Sequence, residues 1–326
     1  MRIALLFALL RTGFAAVSLD AGFEGGSTGR IEQVSPVHYR VAAAGEKDQD
    51  GRNRQANWYY FRVDGARPGE QLTFDIVNLP GEYNYRPNRG AITKDTPPVI
   101  SYDQSAWRHV DTFEYQAEEP KLRLRITPSQ SRFWIAHVPP YTNAHLDKLR
   151  ERIRRHPDFH ETTAGQTVRG RQIPLWTIAS RTTVARKTVW LMFRQHSWET
   201  GSSWSGEGAV LALLADDPNG RRLRQDVIWK IFPLCDPDGV ARGGVRFNVH
   251  GYDLNRNWDV DDSVKMPEIA AQRGAIARWI GEGGSIALFL SLHNTETSEY
   301  LEAPPQGAYR DLAARFYSLL KEHTSF

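Results

Sequence analysis

The stretch TVWLMFRQHSWETGSSWSGEGAVLALLA, residues 188–215, changes its grammar halfway along. Its first six residues are apolar or β-branched without polar alternation, which predicts a strand buried on both faces. From Ser202 onward the small and apolar residues suit a helix. Between the two lies an H-x-x-E pattern, His196 to Glu199. A strand, a short turn and a helix are the repeating unit of an α/β sheet, and sites in such sheets form beyond the carboxyl ends of the strands. Position, more than pattern, marks this pair. With 10 histidines and 38 acidic residues in 326, roughly 0.6 matches to H-x-x-E arise by accident. Two occur, the second being His293 to Glu296, and His250 to Asp253 gives a related H-x-x-D.

Working outward, the second half keeps this alternation. IPLWTIA (173–179), DVIWKIFPL (226–234) and SIALFLSLH (285–293) predict strands, the last nearly continuous in apolar residues. MPEIAAQRGAIARWI (266–280) predicts a helix, with Pro267 tolerated in its first turn. DLAARFYSLLKEH (311–323) predicts another. Thr142 suits the N-cap of a helix over 143–155, which buries Leu146, Leu149 and Ile153 and turns a basic, solvated face outward. HPDFHE (156–161) is rich in ligand-type residues, but Pro157 breaks the register and the segment reads as a surface loop. The fold class expected is α/β, a mixed, largely parallel sheet with helices on both faces.

The first half reads differently. NWYYFRV (57–63), QLTFDIV (71–77), DTFEYQ (111–116), KLRLRIT (121–127) and SRFWIAHV (131–138) are strand-like, and Asp-Gly, Pro-Gly and Pro-Pro pairs punctuate them. This half is expected to be an all-β sandwich preceding the α/β part. The boundaries expected are a signal peptide at 1–18, the sandwich at 19–140 and the α/β domain at 141–326.

Composition narrows the function. The formal charge of +3 comes with scattered arginines, so no nucleic acid partner is expected. Cys235 is the single cysteine, which leaves no disulfide and no cysteine-based zinc cage, so any metal must sit on His and carboxylates. Arg2, the apolar run at 3–10 and the small residues Ala16 and Ser18 resemble a secretory leader, although Arg11 interrupts it. The run is too short to span a membrane. A periplasmic or secreted protein is therefore expected, with the cytoplasm as the alternative.

His196 and Glu199 after one strand and His293 at the end of another would supply N, O and N ligands with a fourth position open, the ligand set of a catalytic zinc site. Between them runs DPDGVARGGVRFNVHGYDLNRNWD, 236–259. There Arg256 offers a fork for a carboxylate, and Asn255 adds amide donors. Arg246 could face a developing oxyanion. Asp253 could accept from the second ring nitrogen of a metal-bound histidine. Each of these residues taken alone reads equally well as part of an ordinary polar loop.

Taken together, in this order, H-x-x-E, P-D-G, D-L-N-R-N-W (253–258) and a strand-terminal histidine resemble the zinc metallocarboxypeptidases of the carboxypeptidase A type. NWYYFRV, QLTFDIVNL, SYDQSAWRHV and FWIAHVPPYT look like the N-terminal β-domain of the cytosolic carboxypeptidase branch, which has bacterial members. The resemblance covers about residue 19 to the end. It implies one zinc ion on His196, Glu199 and His293. It implies Arg246 as the residue that polarises the scissile carbonyl, Asn255 and Arg256 as the grip on the substrate's terminal carboxylate, and Asp253 behind the first zinc histidine. The reaction implied removes a C-terminal amino acid, with glutamate the residue the branch suggests, and the partners implied are peptide or protein C-terminal tails. Three departures stand out. Ser197-Trp198 replaces the usual Pro-Gly inside H-x-x-E, Asp236 replaces the Asn before P-D-G, and none of Glu296, Glu299, Glu302 and Glu322 matches the family's general-base Glu by position. Glu296 is expected to shape the mouth of the site. A C-terminally incomplete catalytic domain with reduced turnover is expected from the third departure. The alternatives are a zinc amidase or deacylase on cell-wall peptides or acyl amino acids, and a non-catalytic module that binds C-terminal tails.

Overall fold

The computed structural model describes residues 16–181, 187–295, 299–304 and 307–324. All but the last three residues of the expected leader lie outside the described residues. The first half contains β1 (Ser18–Asp20), β2 (Ile31–Ser35), β3 (His38–Ala42), β4 (Glu46–Lys47), β5 (Arg54–Gln55), β6 (Tyr60–Asp64) and β7 (Leu72–Val77). It continues through β8 (Gly81–Tyr83), β9 (Arg86–Asn88), β10 (Val99–Ser101), β11 (Arg108–His109), β12 (Thr112–Gln116), β13 (Lys121–Ile126) and β14 (Arg132–Ala136). Two five-stranded sheets, ordered β1-β6-β14-β10-β11 and β12-β13-β7-β3-β2, enclose one core. Strict alternation in KLRLRI sends Leu122, Leu124 and Ile126 inward from β13, and they join Phe74 and Ile76 of β7 and Phe61 and Phe133 of the opposite sheet. The sandwich expected from the strand grammar is present. A smaller sheet, β4-β5-β8-β9, was not legible in the sequence, because strands of two or three residues carry no measurable period.

The second half runs α1 (Asn143–Ile153), β15 (Phe159–Gln166), β16 (Gln172–Ile178), β17 (Lys187–Phe193), α2 (Thr200–Leu213), α3 (Pro218–Asp226) and β18 (Val227–Phe232). It then adds α4 (Pro237–Ala241), α5 (Pro267–Gly281), β19 (Leu288–Leu292) and α6 (Gly307–His323). Its sheet has the order β15-β16-β18-β17-β19. Parallel pairing is confined to β18, β17 and β19; β15 and β16 join antiparallel. The mixed sheet of the expectation is therefore observed, but only half of its pairings are parallel, because β15–β16 is a hairpin and β16 joins β18 antiparallel. Alternate residues of β17 divide between two faces. Val189, Leu191 and Phe193 pack with Leu146, Leu149, Val210 and Leu213 of α1 and α2, whereas Trp190 and Met192 pack with Ala275, Ile276 and Trp279 around α5.

One further reading changes. HPDFHE is a loop only up to Asp158, since Phe159 opens β15 and buries its ring edge-on against Trp176. Among the described residues β19 pairs on one side only, with β17, and Phe289 is 38% exposed. Among the described residues no helix is long and apolar enough to cross a membrane.

Candidate active site

β17 and β19 run parallel with Phe193 opposite Leu292, so the segments leaving their carboxyl ends emerge side by side. The first step past β17 is Arg194, whose φ of 60° lies in the left-handed region, uncommon for a side chain of this size. Its guanidinium is buried and anchors the turn that follows. Nε and Nη2 donate to the carbonyl oxygen of Ser197 at 2.9 and 2.6 Å, and Nη1 donates to Ser203 Oγ at 3.1 Å. Burial lowers its pKa to about 9, against the raising effect of Glu199, Tyr141 and Asp236, so it stays charged at neutral pH.

The turn so fixed brings His196 and Glu199 inward, and His293 arrives from the end of β19. Glu199 lies between the two imidazoles. His196 Nδ1 is 2.7 Å from Glu199 Oε1, and His293 Nδ1 is 2.8 Å from Glu199 Oε2. One ligand atom from each of the three lies within 4.8 Å of the others. Burial alone would lower the His196 pKa, but the Glu199 carboxylate and the bonds from Asp253 and Glu199 outweigh it and raise the value. Burial likewise opposes ionisation of Glu199, yet the two histidines hold its pKa down at about 2. The far nitrogens are also engaged. His196 Nε2 lies 3.1 Å from Asp253 Oδ1. His293 Nε2 lies 3.0 Å from Ser291 Oγ, which donates to Gln195 Oε1 at 3.0 Å. With Nδ1 of each ring facing a metal, Nε2–H donates to these oxygens and fixes the tautomer. Two imidazoles, one ionised carboxylate and oriented outer partners fit a zinc ion.

Asp253 is held well below the usual carboxylate range. Burial works against this, but the His196 bond and charge, the Arg246 charge and the Asn255 N–H prevail. Arg246 Nε donates to Asp253 Oδ2 at 2.6 Å, and Asn255 Nδ2 stands 3.4 Å from His293 Nε2. His196, Glu199, His293, Asp253, Arg246 and Asn255 are thus brought into one bonded group. Arg256 stands outside it, exposed, with its guanidinium donating to the Asn255 carbonyl at 3.0 Å. Arg246 and Arg256 both line a polar cleft of about 520 Å³, whose opposite wall includes Arg52, Asn53 and Tyr83 of the N-terminal half. A neighbouring pocket of about 530 Å³ includes Met192, Asn255, Trp258, Arg273 and Phe289. Of the late acids, Glu299, Glu302 and Glu322 are exposed, and Glu296 lies outside the described residues.

The D-P-D-G segment explains its own glycine. A Cβ on Gly239 would lie 2.1 Å from Asp236 Oδ2 and 2.3 Å from Ser197 Oγ, so only glycine lets α4 pack under the H-x-x-E turn. Asp238 is fully buried, accepts from Arg169 N at 2.8 Å and pairs with Arg171 at 2.6 Å. Asp236 is also fully buried. One oxygen caps α4 through Gly239 N at 2.8 Å, and Oδ2 has no partner among the described residues. Burial, above all, raises its pKa to about 7; the Gly239 N–H bond opposes, Glu268 and Glu46 add to the rise, and Arg242 reduces it. The folded state therefore holds this proton to higher pH than the unfolded chain does. The stability this contributes is complete below about pH 4 and is lost as pH rises to about 7. Asp236→Asn keeps the cap without the charge. It is expected to be more stable than the unaltered chain by about 4 kcal/mol at pH 8, the gap shrinking toward pH 4. Thermal unfolding of both chains at pH 4, 6 and 8 checks this.

Several residues of the site were not legible in the sequence. Arg194 and Gln195 sit beside the motif, and Ser291 two residues before His293, but nothing in spacing marks them out. Trp198 is 4% exposed, donates its backbone N–H to the Val245 carbonyl at 3.0 Å and stacks its ring on His137 of the N-terminal half, ring centroids 6.0 Å apart at 13°.

Comparison with known proteins gives a family match for each half of the chain. Residues 19–138 match the family described as cytosolic carboxypeptidase N-terminal domain, and residues 144–304 match the family described as zinc carboxypeptidase. Cytosolic carboxypeptidase 6 of Caenorhabditis elegans is 27% identical over 273 residues, covering 80% of this chain and 58% of that protein. The protein of the same name from Mus musculus is 28% identical over 260 residues, covering 74% of this chain and 46% of its own length. The chain thus spans about half the length of the curated relatives it matches. The crystal structure of a metallo-carboxypeptidase from Burkholderia cenocepacia superposes with a TM-score of 0.75 at 27% identity, over 87% of this chain and 72% of that one. A metallo-carboxypeptidase from Pseudomonas aeruginosa, solved in complex with (2-guanidinoethylmercapto)succinic acid, gives 0.79 at 25% identity, over 94% and 79%. The two matched segments, with these relatives, make the chain a member of the zinc carboxypeptidase family that carries the cytosolic carboxypeptidase N-terminal domain ahead of its catalytic fold.

Proposed function

We propose that the protein is a zinc-dependent metallocarboxypeptidase that releases single amino acids from the C-terminal ends of peptides or proteins. The observation that carries this is the placement of Glu199 between His196 and His293, with Asn255 Nδ2 3.4 Å from His293 Nε2. His196, Glu199 and His293 would hold the zinc ion, which when bound supplies polarisation of a carbonyl and acidification of a water. Asp253 orients His196 and keeps its proton on Nε2. Arg246, anchored through Nε to Asp253, stabilises charge that develops on the scissile carbonyl oxygen. Arg256 and Asn255 bind the free carboxylate, which restricts the reaction to chain ends.

Glutamate is the proposed terminal residue. Met192, Trp258 and Phe289 would pack its methylenes in the pocket beside Asn255, and Arg273 would meet its carboxylate. Arg256→Ala is expected to weaken binding of a tail with a free carboxylate by about 10–100-fold and to leave zinc content unchanged. Calorimetry on the zinc-loaded chain, with a glutamate-ended peptide and its C-terminal amide, checks this; equal affinity for both peptides would remove Arg256 from the account.

A second reading, tail binding with little turnover, is favoured by one observation. Asp253 is already bonded to His196 and Arg246, and Glu299, Glu302 and Glu322 are exposed. A well-placed general base contributes about 10²–10⁴-fold. Zinc-dependent binding without product release would select this reading. The relatives' names place those proteins in the cytosol, and fractionation of the producing cell decides between cytoplasm and periplasm for this one.

A further inference from the structure

Glu46 belongs to β4, in the small sheet of the N-terminal half, and lies 200 residues before Arg246 in the chain. Its Oε2 accepts from three successive backbone N–H groups: Val245 at 3.0 Å, Arg246 at 2.5 Å and Phe247 at 2.8 Å. Its other oxygen pairs with the Arg242 guanidinium. Three consecutive N–H groups converging on one point form an anion-binding concavity, and an ionised acceptor makes each bond shorter and stronger than a neutral one. A second contact lies close by. Gln49 N donates to the Gly251 carbonyl at 3.1 Å. Gly251 has a φ of +86°, and a Cβ there would lie 2.6 Å from Gln49 N. The segment from β4 to Gln49 therefore fastens the catalytic-domain loop at both ends of 245–251.

Arg246 lies within that fastened stretch. Its side chain is tied to Asp253, and its backbone is tied to Glu46. The two ties act together. The Asp253 bond sets the direction of the guanidinium only if the Arg246 backbone is fixed, and no backbone hydrogen bond of the loop's own to Arg246 N replaces the one from Glu46 among the described residues.

We infer that Glu46 is the positioning residue for Arg246, a carboxylate contributed by the N-terminal domain that holds the arginine loop in its working conformation. The inference rests on the role proposed above for Arg246. A purely structural interface residue would, on removal, lower stability and zinc content together. A positioning residue instead changes turnover at constant zinc content and nearly constant substrate affinity.

The test compares the zinc-loaded full chain with Glu46→Ala and Glu46→Gln, by zinc content, by hydrogen exchange of peptides covering 243–249, and by kcat and KM on a peptide with a free C-terminal glutamate. Equal zinc content is expected in all three. Exchange at 245–247 should rise by about tenfold or more in Glu46→Ala and less in Glu46→Gln, which keeps an acceptor oxygen. In Glu46→Ala kcat should fall by about tenfold or more with KM within about twofold, and Glu46→Gln should recover part of the loss. Unchanged exchange overturns the inference, as does faster exchange with unaltered kcat, or a joint loss of zinc and activity in both variants. Absence of turnover in the unaltered chain would instead count against the carboxypeptidase reading, and exchange alone would then decide whether Glu46 holds the loop.

Discussion

His196→Ala is expected to abolish stoichiometric zinc binding. The substitution removes one of three ligands and leaves Glu199, which is buried and whose pKa is held near 2 largely by His196, with His293 as its remaining partner. Loss of an outer hydrogen-bond partner of a metal-bound histidine already weakens metal binding by about 10–100-fold, so loss of the ligand itself should exceed about a hundredfold. Zinc content after gel filtration, and competition with a chromophoric chelator, measure the change. Retention of one equivalent of zinc by the variant would show that the ion sits elsewhere. Exposed acidic groups distant from the triad, such as Glu302, serve as controls whose substitution should leave zinc content unaltered.

The second large effect is expected at Trp198, which stands where the family usually has Gly in H-x-x-E. Its indole fills a cluster with Trp58, Tyr60, Val99, Ala136 and Val245, and so joins the turn between two proposed zinc ligands to the N-terminal sandwich. His137, on which it stacks, is itself locked. Burial lowers its pKa to about 4, against the bonds to Asn57 and Ala91, so the ring is neutral at ordinary pH, and Nδ1–H donates to the Asn57 carbonyl at 2.7 Å. Trp198→Ala removes one of the two buried tryptophans of this cluster and leaves a cavity that backbone held by Arg194 and Val245 cannot readily fill. A loss of about 3–5 kcal/mol in unfolding free energy is expected, together with weaker zinc binding, since the turn between His196 and Glu199 loses its outer support. Denaturant unfolding with and without zinc checks both parts; a loss below about 1 kcal/mol would mean that the turn is supported from within the catalytic domain alone.

These effects show what could be read in the chain and what could not. Strands buried on both faces, such as 188–193, and alternating strands, such as KLRLRI, announce themselves because burial imposes a period on many residues at once. The clustering of His196, Glu199 and His293 was legible for a related reason. Strand ends at 193 and 292 fix where His196 and His293 must emerge, and D-L-N-R-N-W supplied the remaining partners. The supporting residues were not legible. Arg194 works through a left-handed backbone turn, Glu46 through three amide groups about two hundred positions away, and Trp198 through a surface belonging to the other domain. None of these contacts repeats along the chain, and each depends on two distant segments arriving together.

The central claim, a zinc centre that acts only at a free chain end, is tested most directly by mass spectrometry of a glutamate-ended peptide and its C-terminal amide incubated with the zinc-loaded protein. The account predicts stepwise loss of single residues from the free-ended peptide, abolished by chelation and restored by zinc, with the amide left intact. Cleavage of the amide, cleavage at internal bonds, or release that survives chelation would contradict it.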